Sequence, residues 1–163
     1  HMGRIFRQSY GLFVSNGILY NHESPRRGEN FVTQKIVRSA AEIAAGKKDS
    51  LELGNLDGER DWGHAKDYVE GMWLMLQQEK PNDYVLATGE THSLKDFLSL
   101  AFEYFELDYR DFVSINKRFV RPNEPQKLCG DPSKAKTILG WRTTYSFSEI
   151  IQEMCLSAKA GII

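Results

Sequence analysis

A chain of 163 residues, 41% hydrophobic and 26% charged, fits one globular domain and leaves little room for two. Lysine plus arginine total 21 against 22 aspartate plus glutamate, and a net charge of −1 argues against general binding to nucleic acid or to a membrane surface. Any anion must then be met by local clusters of cations.

The two cysteines, Cys129 and Cys155, belong to no CxxC pair, and no run of apolar residues reaches membrane length. Without a signal peptide or an N-x-Ser/Thr acceptor, the expectation is a cytoplasmic protein with reduced thiols. His1-Met2 reads as a cloning remnant, which leaves 3–163 as one α/β domain.

Residues 12–20, Leu-Phe-Val-Ser-Asn-Gly-Ile-Leu-Tyr, carry apolar side chains on both parities and predict a strand covered on both faces. A polar loop follows, from Asn21 to Gly28. Asn30 is then placed to cap a helix that Gly46 ends near Ala45, with Ile36, Val37, Ala40, Ile43 and Ala44 at helical spacing. A short strand is expected over 50–53. The next helix is predicted over 65–79, with Val69, Met72, Trp73, Leu76 and the adjoining Met75 as its core stripe and Pro81 beyond its end. A second short strand covers 84–88. Ser93 with Asp96, and Ser146 with Glu149, have the spacing of capping boxes for two further helices. Between them, a short helix runs from Asp131 to Gly140.

Strands alternating with helices of ten or more residues predict βαβ units and a parallel sheet. Only two apolar strands are evident, so the sheet reads as incomplete. The mixed stretch 108–121 reads as irregular or weakly extended.

The chain contains no G-x-G-x-x-G, no Walker loop, no Tyr-x-x-x-Lys after a strand, no nucleophile elbow and no histidines at metal-ligand spacing. Cations beside loops are the chemical signal. Arg26-Arg27 follow a strand, where open α/β sheets bind ligands, and two guanidiniums there can hold phosphates. Surface carboxylate partners account for the pair equally well. Arg60 precedes a helix, where free amides favour anions, while neighbouring Asp61 and Asp67 read as structural hydrogen-bonding groups. Arg121-Pro122-Asn123-Glu124 sets an Arg and a Glu three apart in a turn, able to read an anion and a polar ring or ribose, or to form a surface salt bridge.

The block Asn-His-Glu-Ser-Pro-Arg-Arg-Gly at 21–28 resembles the loop after the sixth strand of GDP-mannose 4,6-dehydratases, extended short-chain dehydrogenases. Leu-Gly-Asn-Leu-Asp at 53–57, Arg-Asp-Trp-Gly-His-Ala-Lys-Asp-Tyr-Val at 60–69, Arg-Pro-x-Glu at 121–124 and Gly-Asp-Pro-Ser-Lys-Ala at 130–135 are similar to that family's later blocks. The likeness runs over 4–158, in order, and is poorest at 108–118. It implies the last parallel strands of a Rossmann-type sheet plus a small mixed substrate-binding lobe, the carboxyl-terminal half of a dehydratase.

By that resemblance, GDP-mannose is the substrate and NADP the cofactor. Asn21 meets the sugar diphosphate, Val32 and Lys35 lie at the guanine end, Arg60 and Arg121 hold the diphosphate, and Glu124 binds the ribose or mannose side. His22 and Arg27 match cofactor contacts. The strand at 12–20, apolar on both faces and without covering partners in this sequence, predicts self-association into a homo-oligomer, and the charge balance predicts no binding to nucleic acid or membrane. The family's catalytic Tyr, its Thr and Glu acid–base residues and its glycine-rich loop have no counterpart here, so the chain is expected to be inactive by itself, as a piece of a longer enzyme. Two alternatives stay open: a stand-alone nucleotide-sugar-binding module without catalysis, and a related dehydratase or epimerase of uridine or thymidine sugars.

Overall fold

The computed structural model describes residues 1–120 and 123–161. Helix α1 (Met2–Tyr10) leads to strand β1 (Asn16–Leu19) and, past Tyr20, to β2 (Asn21–Glu23). Helix α2 (Val32–Ala44), β3 (Leu51–Leu53), β4 (Glu59–Arg60), β5 (Trp62–His64), α3 (Ala65–Leu76) and β6 (Asp83–Leu86) follow. The chain closes with β7 (His92–Ser93), α4 (Leu94–Glu103), β8 (Val113–Ile115), β9 (Lys127–Leu128) and α5 (Phe147–Ala160).

Parallel pairing dominates, as the alternating pattern requires: β1 with β6, β2 with β5 and β3 with β8. In a small third layer β4 lies between antiparallel β7 and parallel β9. The amide of Tyr20 donates to the Leu86 carbonyl at 3.0 Å, so the chain passes from β6 to β5 as its pairing partner without a gap in hydrogen bonding.

Two apolar clusters form the core. One joins α2, α4, α5 and β3 through Ile36, Val37, Phe97, Phe102, Ile151 and Met154. The other lies between α3 and β6 and is built on Tyr68, Tyr84, Leu86 and Trp141. Both capping boxes are formed, at Ser93/Asp96 and Ser146/Glu149.

The long strand expected over 12–20 contracts to Asn16–Leu19, and Leu12, Phe13 and Ile18 are exposed. Among the described residues β1 pairs on one side only. Helix α3 covers the Gly17 face: a Cβ at Gly17 would lie 3.2 Å from Met75 Cε. The stripe expected to bury α3 also lies outward, with Val69 62%, Trp73 59% and Leu76 60% exposed. Of the expected residues only Met75 is buried, and the helix turns Tyr68 and Gly71 inward beside it. Gly71 decides this rotation, because a Cβ there would meet Leu86 Cδ1 at 2.7 Å and hold the helix off the sheet. Helix α2 starts one residue later than the Asn30 cap predicts, with Phe31 at its N-cap and no side-chain cap bond. The stretch expected to be irregular or weakly extended contains the three-residue β8 and two single 3₁₀ turns, Tyr109–Asp111 and Lys117–Phe119.

Asp67 fastens α3 to the segment before α5. It is 2% exposed, and its carboxylate accepts from the Thr144 amide (3.0 Å) and hydroxyl (2.6 Å). Its main-chain oxygen accepts Trp141 Nε1 at 2.7 Å. Asp67→Ala removes a buried carboxylate together with its charge-assisted hydrogen bonds to Thr144 and is expected to cost about 2 kcal/mol. Urea unfolding checks this: the midpoint should fall at unchanged slope.

Candidate functional site

Beyond the carboxyl end of β2 the chain turns at Ser24–Arg27, closed by the Arg27 amide donating to the Ser24 carbonyl at 2.9 Å. His22 Nδ1 lies 2.9 Å from the Tyr20 carbonyl. A carbonyl only accepts, so Nδ1 carries the proton and Nε2 of the neutral ring presents a lone pair. In register His22 sits opposite Gly63, and the Tyr68 ring packs beneath it with centroids 5.2 Å apart. Only glycine permits this, since a Cβ at 63 would lie 2.5 Å from Tyr68 Cε2. The buried Tyr68 hydroxyl has no hydrogen-bond partner among the described residues. Burial, and then the charges of Asp61, Asp67 and Glu23, push its pKa up and keep it a neutral phenol.

The paired arginines of the turn differ in role. Arg27 folds inward: Nη1 donates to the His22 carbonyl (3.2 Å), Nε lies 3.3 Å from Glu23 Oε2, and the guanidinium sits 3.6 Å over the Phe31 ring. Arg26 is exposed, and its side chain has no partner among the described residues. A cavity of about 840 Å³ opens beside the turn, lined also by Phe31, His64, Lys66 and Val69. A smaller one of about 380 Å³ holds Asn21, Tyr20 and Leu128. His22 and Arg27 line both and form the partition between them.

Next to the smaller cavity, Asn21 Nδ2 donates to the Asp61 carbonyl at 3.4 Å. Arg60 stands in register with Leu128. Its guanidinium donates to the carbonyls of Glu59 (2.8 Å) and Pro125 (2.9 Å) and to Glu124 Oε1 (2.8 Å). Arg121 lies outside the described residues. Val32 opens α2 and is partly exposed, while Lys35, one turn on, donates from Nζ to the Glu52 carbonyl at 2.8 Å. Burial first, then the nearby Lys48 charge, pull the Lys35 ammonium below its ordinary pKa. The residues singled out from sequence therefore form three groups. Asn21, His22 and Arg27 share the smaller cavity, Arg60 is joined to Glu124, and Val32 and Lys35 mark the start of α2.

Sequence reading did not find Tyr68 or Glu23 as parts of this site. Glu23 is 1% exposed and accepts from the Thr33 hydroxyl at 2.6 Å, which ties β2 to the first turn of α2. Periodicity cannot separate a buried Tyr or Glu from an exposed one; the only local signal was Gly63, five residues before Tyr68.

The family model for GDP-mannose 4,6 dehydratase matches residues 1–154. The chain belongs to this family. It is 55% identical over 149 residues to GDP-mannose 4,6 dehydratase 1 of Arabidopsis thaliana, a match covering 91% of this chain and 41% of the relative. The human GDP-mannose 4,6 dehydratase is 46% identical over 166 residues, covering 91% of this chain and 45% of the relative. The chain thus spans less than half the length of these dehydratases. Among solved structures, RMD from Pseudomonas aeruginosa complexed with NADPH superposes at TM-score 0.88 with 16% identity, covering 98% of this chain and 52% of that one. A dTDP-glucose 4,6-dehydratase from Bacillus anthracis in complex with NAD does so at 0.84 and 16%, covering 98% and 49%. These likenesses establish the expected fold class, an α/β arrangement of the Rossmann type.

Burial raises the Glu23 pKa, against the opposing hydrogen bond from Thr33 and the charge of Arg27. A carboxyl with a raised folded-state pKa contributes stability that is complete below its unfolded value and is lost as pH rises through the folded one. Glu23→Gln keeps an acceptor for Thr33 and removes the titration. Relative to wild type the variant should therefore gain stability from roughly pH 4 upward. Urea midpoints at pH 4 and pH 7 decide it; an equal difference at both would refute the assignment.

Proposed function

We propose that this chain forms the substrate-binding part of an NADP-dependent GDP-mannose 4,6-dehydratase, and that by itself it binds the nucleotide sugar without converting it. The observation that carries this is the half-buried Arg60, positioned by Glu124 and two carbonyls at the end of β4 and followed by Asp61, whose carbonyl accepts from Asn21. A guanidinium so oriented can donate charge-assisted hydrogen bonds to a diphosphate. Asn21 adds an amide donor, and Glu124 an acceptor for a sugar hydroxyl.

For the cofactor, the fit is partial. Nε2 of His22 is an open acceptor and Arg26 an open cation, both on the larger cavity, and these suit one end of a dinucleotide. NADP supplies hydride exchange when bound. This sequence has no glycine-rich cradle for the cofactor diphosphate and no Tyr-x-x-x-Lys pair. What these residues do is hold and orient the substrate and present His22 from a rigid support.

Three outcomes test the reading. Purified chain with NADP and GDP-mannose should form no 4-keto-6-deoxy sugar above a blank, and product would show a catalytic set in this half. GDP-mannose should nonetheless bind, and Arg60→Ala should weaken it roughly tenfold or more. Equal affinities by calorimetry would remove Arg60 from the phosphate role. The open β1 edge and the apolar stripe of α3 support self-association, the homo-oligomer of the reading. Light scattering at micromolar concentration should report a species larger than a monomer; a monomer that binds no apolar dye would exclude it.

A further inference from the structure

We infer that His64 is an acid-released latch: neutral, it clamps β5, α3 and α5 together, and protonated, it frees the first turn of α3. The residue is 1% exposed, ends β5 and is the N-cap of α3. Its Nδ1 accepts from the Lys66 amide at 3.1 Å. On the opposite edge of the ring, Nε2 lies 2.8 Å from Glu153 Oε2 on α5. The Tyr145 ring stacks on the imidazole with centroids 4.0 Å apart and fixes its plane.

These two contacts assign the proton. An amide N–H only donates, so Nδ1 holds a lone pair and the single proton of the neutral ring is on Nε2, donated to Glu153. A second proton can enter only at Nδ1, where the Lys66 N–H already points. Cap and imidazolium therefore exclude each other, and the cation would also meet the positive end of the α3 dipole. Serine, threonine and asparagine, the usual caps, keep their acceptor at every physiological pH. A histidine in that position loses it near the ordinary imidazole range, about pH 6.5.

The charges around the ring do not replace the cap. Glu153 faces only Nε2 and is shared with Lys66, whose Nζ stands 3.3 Å from Glu153 Oε1 and 3.3 Å from the Tyr145 hydroxyl. Burial works against the Glu153 carboxylate, but hydrogen bonds from His64 and Lys66 outweigh it and hold its pKa below the ordinary value. On β2, Glu23 stands in register with His64, yet its carboxylate is taken by Thr33 and Arg27. The first turn of α3 also carries Asp67, bonded to Thr144, and Tyr68, packed beneath His22. His64, Lys66 and Glu153 line the larger cavity together with Arg26. Loss of the cap therefore loosens one wall of that cavity and the support of His22 in a single step.

Nitrogen-15 NMR and amide exchange on the intact chain test the latch, in wild type and in His64→Asn. Asparagine can cap the helix through its side-chain oxygen but does not titrate. At neutral pH the wild-type ring should show the Nε2–H tautomer. Below about pH 6.5 the protection of the Lys66 amide should fall roughly tenfold per pH unit in wild type and stay level in His64→Asn. An Nδ1–H tautomer at neutral pH, or an imidazolium that forms while the Lys66 amide stays protected, would overturn the latch. Both are read on wild type, so the outcome stands even where the variant fails to fold. The same pH dependence in a folded variant would overturn it as well.

Discussion

The carboxylate of Asp61 fixes the geometry on which the candidate site depends. It is fully buried between β4 and β5 and accepts from the Thr88 amide (2.9 Å) and hydroxyl (2.8 Å), the Gly89 amide (3.0 Å) and the Gly130 amide (3.2 Å). Two segments distant in sequence, 88–89 and Gly130, thus converge on one side chain. Its neighbours are functional candidates: Arg60 precedes it, and its carbonyl receives Asn21. A buried charge is tolerable only where such donors replace water. Once it is satisfied, the position of Arg60 follows from covalent connection to an immobile residue. The sequence Arg-Asp therefore pairs an exposed function with a buried anchor.

A similar division separates Arg26 from Arg27. Two adjacent guanidiniums in a turn look equivalent on paper, yet only one can reach the buried Glu23. Arg27 takes that position and gains a carbonyl and the Phe31 face, so its guanidinium is held inward. Arg26 is left to the cavity. His22 follows the same logic: the Tyr20 carbonyl sets its tautomer and Tyr68 sets its tilt. The groups proposed to face a ligand are held here by groups set behind them.

Signals that act over one helical turn were readable in the sequence. Ser93 with Asp96 and Ser146 with Glu149 close their boxes because each motif contains both partners. Gly46 and Gly140 adopt the left-handed backbone that ends a helix. The alternation of strands and helices fixed the α/β class. Readings that needed a neighbour failed. Apolar residues at 12–20 indicated burial on two faces, but burial is set by what packs against them. On α3 two stripes with helical spacing competed, and the choice fell to Gly71 through its approach to Leu86. Strand β8 is three residues long, too short for an alternating pattern to register, and β3 stabilises it by pairing from about sixty residues away. The candidate residues Asn21, His22, Arg27, Arg60 and Glu124 could be named from motifs, while the supports Tyr68 and Glu23 could not, because a satisfied interior group has no distinctive spacing.

The Arg60–Glu124 pair joins a cation fixed by the backbone to a counter-charge that is held more weakly. Both side chains are only partly buried, 17% and 32% exposed. An ion pair in that setting is worth about 0–1 kcal/mol, because water solvates the separated charges nearly as well. Two of the three acceptors on Arg60 are carbonyls, which hold the guanidinium plane without neutralising it. Glu124 alone cancels the charge, and it follows Asn123, whose φ of 57° places it in the sparsely used left-handed region. The guanidinium is thus a cation whose orientation is already fixed by the backbone, and under the proposed function it is what a diphosphate would meet. The counter-charge is weakly held and, under that proposal, would be free to turn to a ligand hydroxyl. Preorganisation lies in the two carbonyls, and adaptability in the carboxylate.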